Sequence, residues 1–170
     1  MNSNLSILEQ IQIASGFLPL DLGTARTGDV VSLKNYRRVL VVFFKGAGTA
    51  GDDPTLTLEQ GTDVAFGTNK ALNFTTVYKK QGADLTAIAQ WSKVTQAAAN
   101  TYTDTTSADV SAIWAVEIKA EELDIGADYD CVRASVGDVG TNAQLGCLLY
   151  LLADPVQMTA PESMPGAIAD

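Results

Sequence analysis

Tyr36-Arg37-Arg38-Val39-Leu40-Val41-Val42-Phe43-Phe44-Lys45 decides the fold class. The run is rich in β-branched and aromatic side chains. Val39, Val41 and Phe43 fall on one face of an extended chain, and Leu40, Val42 and Phe44 on the other. Apolar side chains on both faces predict a central strand covered on both sides. The β signal continues on the C-terminal side. Thr55–Gln60 alternates, with Leu56 and Leu58 together. Phe74–Lys80 and Gln90–Thr95 are short, aromatic and Thr-rich, and Ala112–Lys119 puts Trp114, Val116 and Ile118 on one face. Glu121–Leu123 reads as a single helical turn, and Asp84–Ala89 is ambiguous between turn and helix.

The last two strands, Tyr129–Gly137 and Gln144–Leu152, flank Asp138-Val139-Gly140-Thr141-Asn142-Ala143 and are expected to form a hairpin. A symmetrical register sets Val132 against Leu149, Ala134 against Cys147 and Val136 against Leu145, six apolar residues on one core face. Leu148, Tyr150 and Leu152 then stand on the nominally outer face. They need cover from a second layer of the same domain or from another subunit, and are candidate interface residues. In that register Cys131 and Cys147 point to opposite faces, so they are read as packing thiols with no disulfide between them.

About eight strands with no βαβ rhythm predict a mainly β chain, an antiparallel two-sheet sandwich with a jelly roll as one form it could take. The expected organisation is an N-terminal arm over residues 1–29, a sandwich over 30–152 and a Pro-containing tail over 153–170. Leu5, Leu8 and Ile11 hint at one short helical stripe in the arm, which Gly16-Phe17-Leu18-Pro19 ends. At 170 residues the chain makes one domain, and burial of roughly 70% of its unfolded surface makes a metal or disulfide staple unnecessary.

Composition narrows the function. The chain has 20 acidic and 11 basic residues and no histidine, for a net charge of −9. So acidic a chain is a poor ligand for phosphate backbones, and nucleic acid is not an expected partner. Without histidine there is no Ser-His-Asp or Cys-His catalysis and no His-ligated metal. A carboxylate pair remains open, with Glu117 and Glu121 or Glu122 as candidates by residue type, but only 7% of the chain is aromatic, which is poor for a sugar cleft. Gly46-Ala47-Gly48-Thr49-Ala50-Gly51 fits a dinucleotide-loop spacing, yet Asp52-Asp53-Pro54 and a strand follow where a helix is required. It is read as a hairpin loop. The acids Asp124, Asp128 and Asp130 do not match a calcium loop and mark an exposed turn. No catalytic, cofactor or metal residue is therefore expected. Trp91 and Trp114 are read as core or interface anchors in preference to sugar platforms.

Charge is unevenly spread. Residues 1–50 hold five bases and three acids, and the rest hold six bases and seventeen acids. Lys34, Arg37 and Arg38 form a basic cluster suited to an acidic patch on a neighbour, which makes Arg37 and Arg38 candidate interface residues. The apolar run Val39–Phe44 is far too short for a membrane helix. The opening Met1-Asn2-Ser3-Asn4-Leu5-Ser6 lacks a signal-peptide pattern, so synthesis in the cytoplasm is expected.

Arg26-Thr27-Gly28-Asp29-Val30-Val31-Ser32-Leu33-Lys34-Asn35-Tyr36, its continuation through Val39–Lys45 and Gly46–Leu58, and the later Cys131–Ala143 resemble a group of small structural proteins of tailed bacteriophages. The resemblance covers roughly residues 20–152 and involves no catalytic motif. It implies a virion component, a head decoration (cement) protein on the capsid exterior, whose partners are the major capsid protein and itself, as a homotrimer or another homo-oligomer. A tail or head–tail connector component and a carbohydrate-binding surface module are the alternatives.

Overall fold

The computed structural model describes residues 4–83, 85–86, 90–105 and 110–168. It is mainly β, with two antiparallel sheets packed face to face, as the strand pattern predicts. Eleven strands are present among the described residues: β1 (Ile11–Asp21), β2 (Arg26–Ser32), β3 (Tyr36–Lys45), β4 (Thr55–Gly61), β5 (Asn69–Ala71), β6 (Phe74–Gly82), β7 (Ser92–Ala99), β8 (Thr101–Thr103), β9 (Ser111–Lys119), β10 (Cys131–Val136) and β11 (Leu145–Pro155). The larger sheet has the order β1-β11-β3-β9-β6-β7. The smaller has β2-β10-β4-β5, with β8 paired to β4.

The pairings are nested. β1 pairs with β11, β2 with β10, β3 with β9 and β4 with β5, all antiparallel. The chain thus behaves as one long hairpin whose successive rungs alternate between the two sheets, with β6, β7 and β8 inserted between β5 and β9. Alternation explains the spacing of the core. Val39, Val41 and Phe43 of β3, Trp114, Val116 and Ile118 of β9, and Leu148, Tyr150 and Leu152 of β11 face Leu56, Leu58, Val132, Ala134 and Val136 of the smaller sheet, all buried. Trp114 sits between Phe43 (ring centroids 5.4 Å apart) and Tyr102 (4.9 Å, edge-on).

Five expectations are corrected. β10 and β11 do not form a hairpin: they lie in opposite sheets, and the loop between them crosses the sandwich. The six apolar residues that seemed to oppose one another in one register therefore divide. Val132, Ala134 and Val136 are buried, whereas Leu145 and Leu149 are exposed on the far side of the larger sheet. By the same token Leu148, Tyr150 and Leu152 are fully buried in the chain's own core, because β11 turns that face toward β10. They are packing residues, not interface residues.

Residues 4–29, the described part of the expected arm, are not an arm. Ser6 caps a 3-10 turn over Ile7–Glu9, and from Ile11 the chain becomes the edge strand β1 and then β2. Gly16 and Pro19, the residues that made this stretch look like a loop, are absorbed by two register shifts of β1 against β11, between Ser15 and Phe17 and between Phe17 and Leu20. An edge strand tolerates proline and bulges where a central strand would not.

The tail also returns to its own domain. Residues 153–155 extend β11, Tyr36 donates to Pro165 O at 2.6 Å, Ser32 N–H donates to Ala167 O at 2.8 Å, and Ala167 is buried. The Gly46–Gly51 segment connects β3 to β4 across the two sheets and is not a hairpin loop. The helical turn near Glu121 is a 3-10 turn over Ala120–Glu122. The ambiguous stretch at Asp84–Ala89 falls mostly outside the described residues.

Candidate interaction surface

The larger sheet has a second face, which the described residues cover only in part: Ala115 is buried and Leu40, Val42 and Leu151 are half-buried. The register builds it in rows across the strands. Ile11, Ala153, Arg38 and Lys119 form one row; Ile13, Leu151, Leu40 and Glu117 the next; then Ser15, Leu149, Val42, Ala115 and Tyr78; then Cys147, Phe44, Ile113 and Lys80. Most of these side chains are apolar. Ile13 is 54% exposed, Phe44 43% and Leu149 38%, and Leu145 at the end of β11 reaches 61%. Exposed apolar side chains that adjoin on one sheet face commonly mark a contact site. The two-sided apolar pattern of β3 thus arises from one face in the core and one face only partly covered.

Three of its four charged residues, Arg38, Lys119 and Glu117, lie at one end of this face, and Lys80 lies at the other. Arg38 donates to Glu117 at 2.9 Å and pairs with Asp154 at 2.6 Å. Hydrogen bonding to Glu117 and the charge of Asp154 raise the pKa of its guanidinium above the usual value. Held by two carboxylates, Arg38 is no longer a free cation. Beneath it Ile11, Leu40, Leu151 and Ala153 line a small apolar hollow of about 230 Å³.

Next to Arg38, a groove of about 520 Å³ runs between β3 and the Ala120–Glu122 turn. Leu33, Tyr36, Ile125 and Val156 line its apolar part, and Lys34, Arg37, Arg38, Lys119 and Glu121 its charged part. Arg37 is exposed there, and the structure pairs neither its side chain nor that of Lys34 with an acid among the described residues. The structure therefore brings Lys34, Arg37 and Arg38 together at one groove, and separates them from the core residues Leu148, Tyr150 and Leu152.

Other candidates have structural tasks. Glu117 is tied to Arg38, and Glu122 accepts the Lys119 backbone N–H at 2.8 Å. Asp124 pairs with Lys70, and its N–H donates to Gln60 Oε1 at 2.9 Å. Asp128 closes the 3-10 turn over Ile125–Ala127 in the left-handed region (φ 62°). No cluster of three or more metal-ligating side chains occurs among the described residues. Cys131 and Cys147 are free thiols in different sheets. Trp114 is locked in the core, whereas Trp91 is 47% exposed with Lys80 Nζ 5.0 Å from its ring centroid. Only Trp91 is placed to meet a ligand.

The exposed sheet face was missed because alternation reports that both faces are apolar and says nothing of what covers each. Phe44 and Leu149 carried the available signal. Comparison of the chain with protein families, curated proteins and solved structures gave no match.

Proposed function

We propose that this chain is a non-enzymatic structural subunit of a tailed-phage particle, seated on the head exterior against the major capsid protein, which it helps to hold together. The observation that carries this reading is the only partly covered apolar face of the larger sheet, with Ile13, Leu40, Phe44, Leu149 and Leu151 in adjoining rows. A rigid sheet exposing such a face gains stability by packing it against another protein surface. The nested strand order supports the same reading. β1-β11-β3-β9 against β2-β10-β4-β5 is compatible with a jelly roll, an architecture shared by viral shell proteins and lectins. Fold likeness alone is an associational argument, and the apolar face carries more weight. The sequence resemblance to small phage structural proteins points the same way. The excess of acid keeps free subunits soluble and apart before assembly.

Cosedimentation with heads assembled from the major capsid protein tests the proposal. The wild-type chain is expected to pellet with the heads, and a folded Leu149→Arg variant to stay in the supernatant. Equal pelleting of the two, or none by the wild type, would overturn it. A connector role predicts six or twelve copies at one vertex instead of hundreds over the head. A lectin role predicts glycan binding that Trp91→Ala abolishes.

A further inference from the structure

We infer that the groove between β3 and the Ala120–Glu122 turn is a docking site for a second, two-fold related copy of this chain. The inference rests on reading the chain as a subunit of an assembly and names a contact within that assembly. Three observations support it. First, the groove carries both signs of charge on opposite sides: Lys34 and Arg37 lie on the β2–β3 side and Glu121 beyond β9. Neither cation has an acidic partner among the described residues. Glu121 has only a loose contact with Lys119, 3.6 Å, and its side chain is 77% exposed.

Second, the two exposed apolar residues in the groove, Ile125 and Val156, are 58% and 62% accessible. An apolar centre with a charged rim is the usual anatomy of a protein contact. Third, the arrangement is self-complementary. In a two-fold contact the same patch meets itself, so a cation on one side of the groove meets the anion on the other side of its mate, twice. Arg37 of one copy then faces Glu121 of the other, Glu121 faces Arg37, and the Ile125 and Val156 side chains of both copies fill the middle. A partner of one sign would leave either Glu121 or the two cations opposed by like charge. A second copy sets Arg37 against Glu121 at both contacts and leaves Lys34, which is exposed, at the solvated rim.

A charge exchange tests this on the purified full chain. Sedimentation equilibrium should give the mass of a dimer, weakening several-fold between about 0.05 and 0.5 M salt as the exposed rim is screened. Arg37→Glu and Glu121→Arg should each weaken association at least about tenfold, since each sets like charges against each other twice. Neither residue is buried, and circular dichroism checks that both variants are folded. An equimolar mixture of the two variants should associate again, because the mixed dimer restores opposite signs at both contacts. A wild-type chain that stays monomeric, a trimer mass, or folded variants whose mixture fails to recover would each overturn the inference. Leu149→Arg lies outside the groove and should keep the dimer, so failure of shell binding and failure of this contact are read separately.

Discussion

The phenol oxygen of Tyr150 on β11 accepts the backbone N–H of Ala134 on β10 at 2.8 Å, joining the two sheets through the centre of the core. The bond exists because of a bulge. Between Arg133 and Ser135 of β10, a single residue, Ala134, faces two of β2, Gly28 and Asp29, and the ladder is interrupted there. The Tyr150 hydroxyl meets the N–H at that interruption. Gly28 leaves the space: a Cβ there would lie 2.5 Å from Ala134 O and 3.0 Å from the Tyr150 oxygen.

Tyr150→Phe should therefore leave a buried N–H without a partner and cost about 1–3 kcal/mol. Gly28→Ala should cost a similar amount or more, by forcing apart backbone that cannot yield. Chemical denaturation measures both. If either variant matched the wild type within error, the cross-sheet bond would not be a structural tie.

β11 offers a contrast between adjacent residues. Leu148 is fully buried and Leu149 is 38% exposed. Leu148→Ala should cost about 2–5 kcal/mol as a core truncation. Leu149→Ser should change stability by less than about 1 kcal/mol in the isolated chain and act on partner binding instead. Equal destabilisation by the two would mean that the outer face is covered within the chain.

Removal of residues 1–20 should unfold or aggregate the protein. It deletes most of β1, which pairs with β11 from Ile11↔Ala153 to Asp21↔Leu145, and leaves β11 as a bare apolar edge. Loss of the native thermal transition checks this. A truncated chain that melted like the full one would restore the idea of a detachable arm.

Alkaline pH should destabilise the fold through its buried tyrosines. Burial raises the pKa of Tyr36 and of Tyr150; burial, then the Asp104 charge, pushes Tyr102 up to about 12. In each case the folded-state pKa lies above the unfolded value near 10, so the stabilisation is complete below pH 10 and declines as pH rises above it. Tyrosinate absorbance from these three should appear together with unfolding, and Tyr102→Phe should reduce the loss of stability between about pH 10 and 12. Titration of all tyrosines in a still-folded protein would contradict the assignment.

Much of the sandwich was legible in the sequence. Period-two patterns located β4 and β9, because each buries one face and alternation records burial directly; β3 was located by its two-sided apolar run and β6 by its aromatic and Thr-rich composition. β1 was not legible, since Gly16 and Pro19 break the pattern at an edge strand where bulges admit them. The β10–β11 pairing was misread because two strands with matching apolar positions look alike whether they sit side by side or face each other across a core. Tyr150 distinguishes the cases only once the bulge at Ala134 is known. The candidate surface was half legible: the basic cluster Lys34, Arg37 and Arg38 was visible as charge, but its groove is completed by Glu121, Ile125 and Val156, distant in sequence. The outer face was visible in Leu40, Val42 and Phe44 and was read as the second covered face of a central strand.

Electron microscopy of intact heads carrying this protein tests the central claim most directly. The account predicts density for the sandwich spread over the head lattice, with Phe44 and Leu149 of the larger sheet turned onto the capsid protein. Density at one vertex alone, or a sandwich resting on the smaller sheet with Phe44 and Leu149 facing solvent, would contradict it.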